Sequence, residues 1–156
     1  MISKNDIPKK DTLGSKDRMM SDSKLEKLGK LIGAWEISGD ATGIIKYEVA
    51  EGGFFLTQQV DLEYSGRKIK GLEIIGRTHR IGEEISGDIW SRFYSFFDGL
   101  ALDYVYDMTE NVLTIWFGSR ESNNFMKSTY SLDGNTFSGS WQWPGGGYSF
   151  NGKRLG

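Results

Sequence analysis

The chain contains no cysteine, which excludes disulfides and thiolate metal sites and fits a reducing, cytoplasmic compartment. It has one histidine in 156 residues, so a zinc site would have to be built mostly from carboxylates. No window approaches the roughly 18 apolar residues that a membrane-spanning helix needs. Neither charge sign dominates: the formal net charge is −2 and the sequence pI about 5.5. Nucleic-acid binding calls for a basic face, and this balance offers none. Two catalytic signatures are missing as well. No Gly-rich loop is followed by Lys-Ser/Thr, so Gly145-Gly146-Gly147 reads as a hairpin turn rather than a phosphate cradle. No Gly-x-Ser-x-Gly nucleophile elbow occurs. No cofactor, nucleic acid or membrane partner is expected.

What the chain has in quantity is glycine, 21 residues against 2 prolines, and aromatic side chains, 13% of the total. The glycines show no collagen-like period. They fall between apolar runs, where turns call for positive φ. Aromatics concentrate within those runs, which favours strands. The length suits one domain large enough to bury a core without staples. Residues 1–22 lack an apolar segment and are read as a disordered tail rather than a signal peptide, with Met19 or Met20 as an alternative start. The folded domain is then 23–156.

Ser23-Lys24-Leu25-Glu26 has the form of a capping box, with Ser23 at the N-cap and Glu26 three positions on. Leu25, Leu28, Leu31 and Ile32 follow at helical spacing, and Gly33 supplies the stop. Beyond Gly33 the period shortens to about 2. Strand-like runs cover 34–39, 43–50, 53–64, 68–79, 85–96, 100–108, 111–118, 124–131, 135–142 and 147–154, separated by turns such as Asp98-Gly99 and Asp133-Gly134. Connections this short make sequential strands antiparallel neighbours, and closure removes the two edges that an open sheet would leave. The expected fold is therefore all-β: a closed up-and-down antiparallel barrel of about ten strands with one short N-terminal helix.

Alternation is clearest in two runs. In 54–64, Phe54, Leu56, Gln58, Val60, Leu62 and Tyr64 share one side. In 100–108, Leu100, Leu102, Tyr104, Tyr106 and Met108 do so. If these sides face inward, Gln58, Tyr104 and Tyr106 place amide and phenol groups on an apolar inner wall. The run 68–79 stays undecided, because Ile69, Leu72, Ile74 and Ile75 occupy both faces.

Around Leu31-Ile32-Gly33-Ala34-Trp35-Glu36 the chain resembles the calycin superfamily, the lipocalins and fatty-acid-binding proteins, and more closely a bacterial family of lipocalin-like barrels. Further stretches that carry the resemblance are Gly52-Gly53-Phe54-Phe55-Leu56, Gly71-Leu72-Glu73-Ile74-Ile75-Gly76, Phe97-Asp98-Gly99, Ser131-Leu132-Asp133-Gly134-Asn135-Thr136 and the segment from Gly139 to Tyr148. The resemblance implies that Trp35 packs against Arg154 of the last strand and ties the sheet ends together. Nitrobindins share the Gly-x-Trp start and bind haem through a C-terminal histidine. The single histidine here, His79, is mid-chain, a departure that argues against that ligation.

The candidate ligand-binding residues are Gln58, Tyr104, Tyr106, Trp141, Glu73 and Arg92. Gln58, Tyr104 and Tyr106 supply placed polar atoms or, alternatively, bond only to their neighbours in a core. Trp141 is the best placed of the tryptophans to stack on a planar ligand; Trp90, Trp116 and Trp143 are alternatives, and all could simply fill space. Glu73 and Arg92 could hold a ligand or pair with each other if both point inward, or both could face solvent. His79, between Arg77 and Arg80, is either a mouth acid–base group or an exposed loop residue. No catalytic set emerges. The leading expectation is a barrel that binds a small, largely apolar molecule. The alternatives are a cofactor-free isomerase or cyclase, and a structural module that pairs two copies as a homodimer.

Overall fold

Each of the ten alternating segments forms a strand. They are β1 (Gly33–Gly39), β2 (Ala41–Val49), β3 (Leu56–Tyr64), β4 (Arg67–Arg77), β5 (Ile89–Ser95), β6 (Ala101–Thr109), β7 (Val112–Phe117), β8 (Phe125–Tyr130), β9 (Thr136–Trp143) and β10 (Gly146–Leu155). In this computed structural model, which describes residues 20–156, every strand pairs antiparallel with its sequence neighbours, and β1 pairs with β10 to close the barrel. Two runs are shorter than their patterns suggest. The segment before β3 leaves Phe54 and Phe55 exposed, and residues 78–88 form a loop, so that β5 begins only at Ile89. Leu100 lies just before β6 and is exposed. The register settles β4: Ile69, Gly71, Glu73 and Ile75 face inward, while Ile74 on the other parity is 41% exposed.

The expected tail falls outside the described residues as far as position 19. Positions 20–22 do not belong to it. Met20 packs on the core, Ser21 donates its amide to the Gly53 carbonyl at 2.7 Å, and Asp22 is buried.

The helix is a 3-10 helix over Leu25–Leu31. Its three leucines recur every three residues, which lines them up on one face of a helix with three residues per turn. All three are fully buried in the core. Gly29 in its middle further weakens the case for an α-helix. The cap comes from Asp22 rather than from the Ser23/Glu26 box. Asp22 Oδ1 accepts from the amides of Lys24 (2.9 Å) and Leu25 (3.1 Å), while Oδ2 accepts from Arg77 Nε at 2.8 Å. Burial pushes the Asp22 carboxyl up, but these hydrogen bonds together outweigh it and hold the group below its ordinary value.

Trp35 pairs with Arg154 in the β1–β10 register, and the guanidinium lies 4.2 Å from the indole centroid. Trp35 Nε1 donates to the Leu31 carbonyl at 2.8 Å, so the indole joins helix to barrel. Arg154 donates to the carbonyls of Ile32 (2.5 Å), Lys30 (3.0 Å) and Gly134 (3.0 Å). The reach to Ile32 depends on Gly33, where a Cβ would stand 2.6 Å from Arg154 Nη1. At Gly152 a Cβ would overlap the Phe137 ring, which packs 5.0 Å from Trp35, centroid to centroid.

Arg154→Ala removes a stacked cation and the hydrogen bonds to these three carbonyls, and is expected to lower unfolding free energy by about 2–4 kcal/mol in urea titrations. Arg154→Lys is expected to recover less than half of that loss, since a point charge cannot reproduce the planar fork.

Candidate functional site

Ten inward faces enclose a cavity of about 170 Å³. Most of its wall is apolar, including Ile45, Val60, Leu113, Ile115, Met126 and Phe137. Side-chain exposure is graded along the strands. Residues towards the β3–β4, β5–β6 and β9–β10 turns are half-buried: Leu62, Ile69, Leu102, Tyr104, Trp141 and Tyr148. Those towards the 3-10 helix are buried. The mouth is therefore at the end away from the helix. Aromatic rings frame it: Tyr64 stacks on Tyr148 with centroids 4.2 Å apart, and Tyr104 lies 5.8 Å from Trp141.

The deep polar groups come from five consecutive strands. Tyr47 on β2 is paired with Gln58 on β3, which is paired with Glu73 on β4; Ser91 on β5 and Tyr106 on β6 complete the set. Glu73 is 4% exposed. Its Oε1 accepts from the Tyr106 hydroxyl at 2.7 Å, and its Oε2 from the Ser91 hydroxyl at 2.5 Å. Tyr47 stands beside Gln58 and Tyr106 on the same inner wall.

Burial raises the Glu73 pKa to about 7, and the hydrogen bonds from Ser91 and Tyr106 oppose the rise without cancelling it. Burial likewise pushes Tyr47, Tyr104 and Tyr106 above the ordinary phenol value, and the nearby Glu73 charge adds to it. These phenols are therefore neutral near pH 7.

No protein-family model matches the chain, and no curated protein matches it either.

Of the six candidate residues, Gln58, Glu73, Tyr104, Tyr106 and Trp141 line the cavity together. Arg92 does not. It is paired across the ladder with Ile74, on the outer face, and its side chain is 55% exposed. It forms a two-pronged ion pair with Asp103, at 2.7 and 3.1 Å. The pairing of Glu73 with Arg92 is thereby excluded, since directly opposed residues share a face and Glu73 is opposed by Phe93. His79 lies exposed in the loop after β4 and shares an outer-wall groove with Arg92. Trp116 sits outside the cavity lining under Arg120, 4.9 Å from its guanidinium, and Trp143 packs against Tyr148 at the rim. Among the described residues, no three of His, Asp and Glu cluster closely enough to hold a metal ion.

The sequence reading passed over Tyr47, Ser91, Ser128, Tyr130 and Tyr148, all of which line or bound the site. Parity was the available signal for Tyr47, which falls between Ile45 and Val49 on the buried side of β2. For Ser91 no chemical signal marked one serine among many.

A carboxyl raised above its unfolded value of 4.5 stabilises the folded state fully at low pH and loses that contribution as pH climbs through 7. Comparing wild type with Glu73→Gln cancels the other titrations. The wild type is expected to lose about 3 kcal/mol relative to the variant between pH 4 and pH 8, measured by chemical denaturation at each pH. A gain on raising the pH would show that Glu73 folds ionised and well paired.

Proposed function

We propose that this protein binds a small, largely apolar molecule inside its barrel. The observation that carries the reading is the cavity of about 170 Å³, whose apolar wall holds a connected polar cluster at its deep end. Ligand sites commonly combine such a wall with a few placed polar groups. An apolar cavity of about 150 Å³ accommodates a benzene ring, which sets the scale of the occupant: one ring or a short branched chain. The calycin resemblance supports the same reading, because closed barrels of that kind are containers. No described helix is long and apolar enough to cross a membrane, and the cysteine-free composition fits a cytoplasmic location.

A second reading, a cofactor-free isomerase or cyclase, draws on one observation. Burial raises the Glu73 pKa to about 7, and the carboxyl accepts from the neutral Tyr106 hydroxyl. That pairing suits proton abstraction by the carboxylate; once Glu73 is protonated, the Tyr106 hydroxyl is released to donate to the developing anion. Deuterium incorporation from solvent into a bound ketone, lost in Glu73→Gln, would be its signature.

The binding reading is tested by native mass spectrometry and thermal-shift measurements with compact ring compounds. Ile69→Trp adds bulk at the half-buried mouth without opening a void. It is expected to abolish at least about 90% of ligand-induced stabilisation while changing the unliganded melting temperature by only a few degrees. Equal ligand-induced shifts in the two proteins would place binding outside the barrel.

A further inference from the structure

Among the described residues, the cavity wall contains one acid and no base: Glu73 lines it, and no lysine, arginine or histidine does. The guanidiniums of neighbouring elements are engaged elsewhere. Arg92 pairs with Asp103 on the outer face, Arg120 bridges Asp88 and Asp107, and Arg154 is held by backbone carbonyls beside the helix. The groups that face Glu73 are the hydroxyls of Ser91 and Tyr106 and, further off, the phenols Tyr47 and Tyr104. None carries positive charge.

Each Glu73 oxygen accepts one protein hydrogen bond. A carboxylate offers roughly four acceptor sites, so about two remain open to an occupant. Above Glu73, towards the mouth, Tyr104, Trp141 and Tyr148 contribute aromatic rings to the wall, and ring faces attract cations. The site therefore lacks two things that an occupant can bring: a counter-charge and hydrogen-bond donors.

We propose that the ligand is a compact apolar amine whose ammonium group is received by Glu73. This rests on the cavity-binding reading above and narrows it to a chemical class. The ammonium supplies the missing counter-ion and fills the open acceptor sites with charge-assisted hydrogen bonds. The apolar body lies against Val60, Leu113 and Ile115. An anionic amphiphile fits poorly, because its carboxylate would meet Glu73 and no cation. The volume limits the body to about one ring.

Three probes of similar size separate the possibilities: benzylamine, toluene and benzoate, titrated into the full chain at pH 8 and followed by calorimetry and ligand-observed NMR. Benzylamine is expected to bind at least about tenfold more tightly than toluene, and benzoate more weakly than toluene. In Glu73→Gln the ratio of benzylamine to toluene affinity is expected to fall by at least about tenfold. If benzoate binds as well as benzylamine, or the ratio survives Glu73→Gln, the amine assignment is overturned, while toluene binding leaves the cavity reading in place. If none of the three binds the wild type, the cavity reading itself fails and the amine with it. Should Glu73→Gln not fold, the carboxyl ¹³C resonance of Glu73 in the wild type decides the point. Saturating benzylamine is expected to keep it ionised at pH 6 and toluene is not; an identical titration with both probes overturns the proposal.

Discussion

The contact between β1 and β10 is the constraint on which everything else in this molecule depends. Nine hairpin-type connections can form locally, but an up-and-down sheet has an interior only when its first and last strands meet. Here the meeting spans Ala34 to Gly39 on β1 and Leu155 to Phe150 on β10. Backbone pairing alone would leave this seam no stronger than its neighbours, although it joins residues about as far apart in sequence as the fold allows. Arg154 adds what the ladder lacks. Its guanidinium stacks on Trp35 and binds carbonyls from the segment before β1 and from the β8–β9 turn. Trp35 in turn bonds to Leu31. One interaction set thus ties helix, seam and turn together, and the closed end of the cavity follows from it.

With that end plugged by Leu25, Leu28 and Leu31, Glu73 sits buried in the interior. The raised pKa is a direct consequence. Two hydrogen bonds do not repay the loss of hydration of a carboxylate, so the neutral form gains. The same environment strengthens every interaction that the ionised form makes with an occupant. Closure of the barrel and the chemistry of the cavity are in this sense one property, and loosening the seam would relax the carboxyl towards ordinary behaviour.

The order and number of strands were legible in the sequence because period-two alternation and Gly-centred turns are local signals. The class of the helix was legible only in hindsight: leucines at 25, 28 and 31 fit a three-residue turn, but the capping pattern at Ser23 drew attention away from Asp22. Asp22 could not be found from spacing, since half of its role is the ion pair with Arg77, distant in sequence. The inner wall was readable wherever one parity was apolar, as for Gln58, Tyr104 and Tyr106. It failed on β4 and β5. On β4 isoleucines occupy both faces, and on β5 Trp90 and Tyr94 outside rival Ile89 and Phe93 inside. Only the register between the two strands separates Glu73, opposed by Phe93, from Arg92, opposed by Ile74. Register between strands is a property of the assembled sheet, and no single-strand pattern contains it.

That separation has an electrostatic consequence. Had Arg92 faced inward with Glu73, the two would have formed a buried ion pair, the carboxyl would have been held ionised, and the cavity would have been electrically complete. Instead Arg92 spends its charge on Asp103 in solvent, and Glu73 has donors but no counter-ion among the described residues. In a solid core such a carboxyl is a liability, because an amide or an apolar residue of similar volume folds at lower cost. On the proposed amine-binding reading, the same deficit beside a cavity of about 170 Å³ would act as a specificity device. The free protein would bear the cost of a buried acid without a counter-ion, and an occupant that brings positive charge would remove it. Selectivity between a cation, a neutral isostere and an anion would then come from one side chain, while the apolar wall would set only the size.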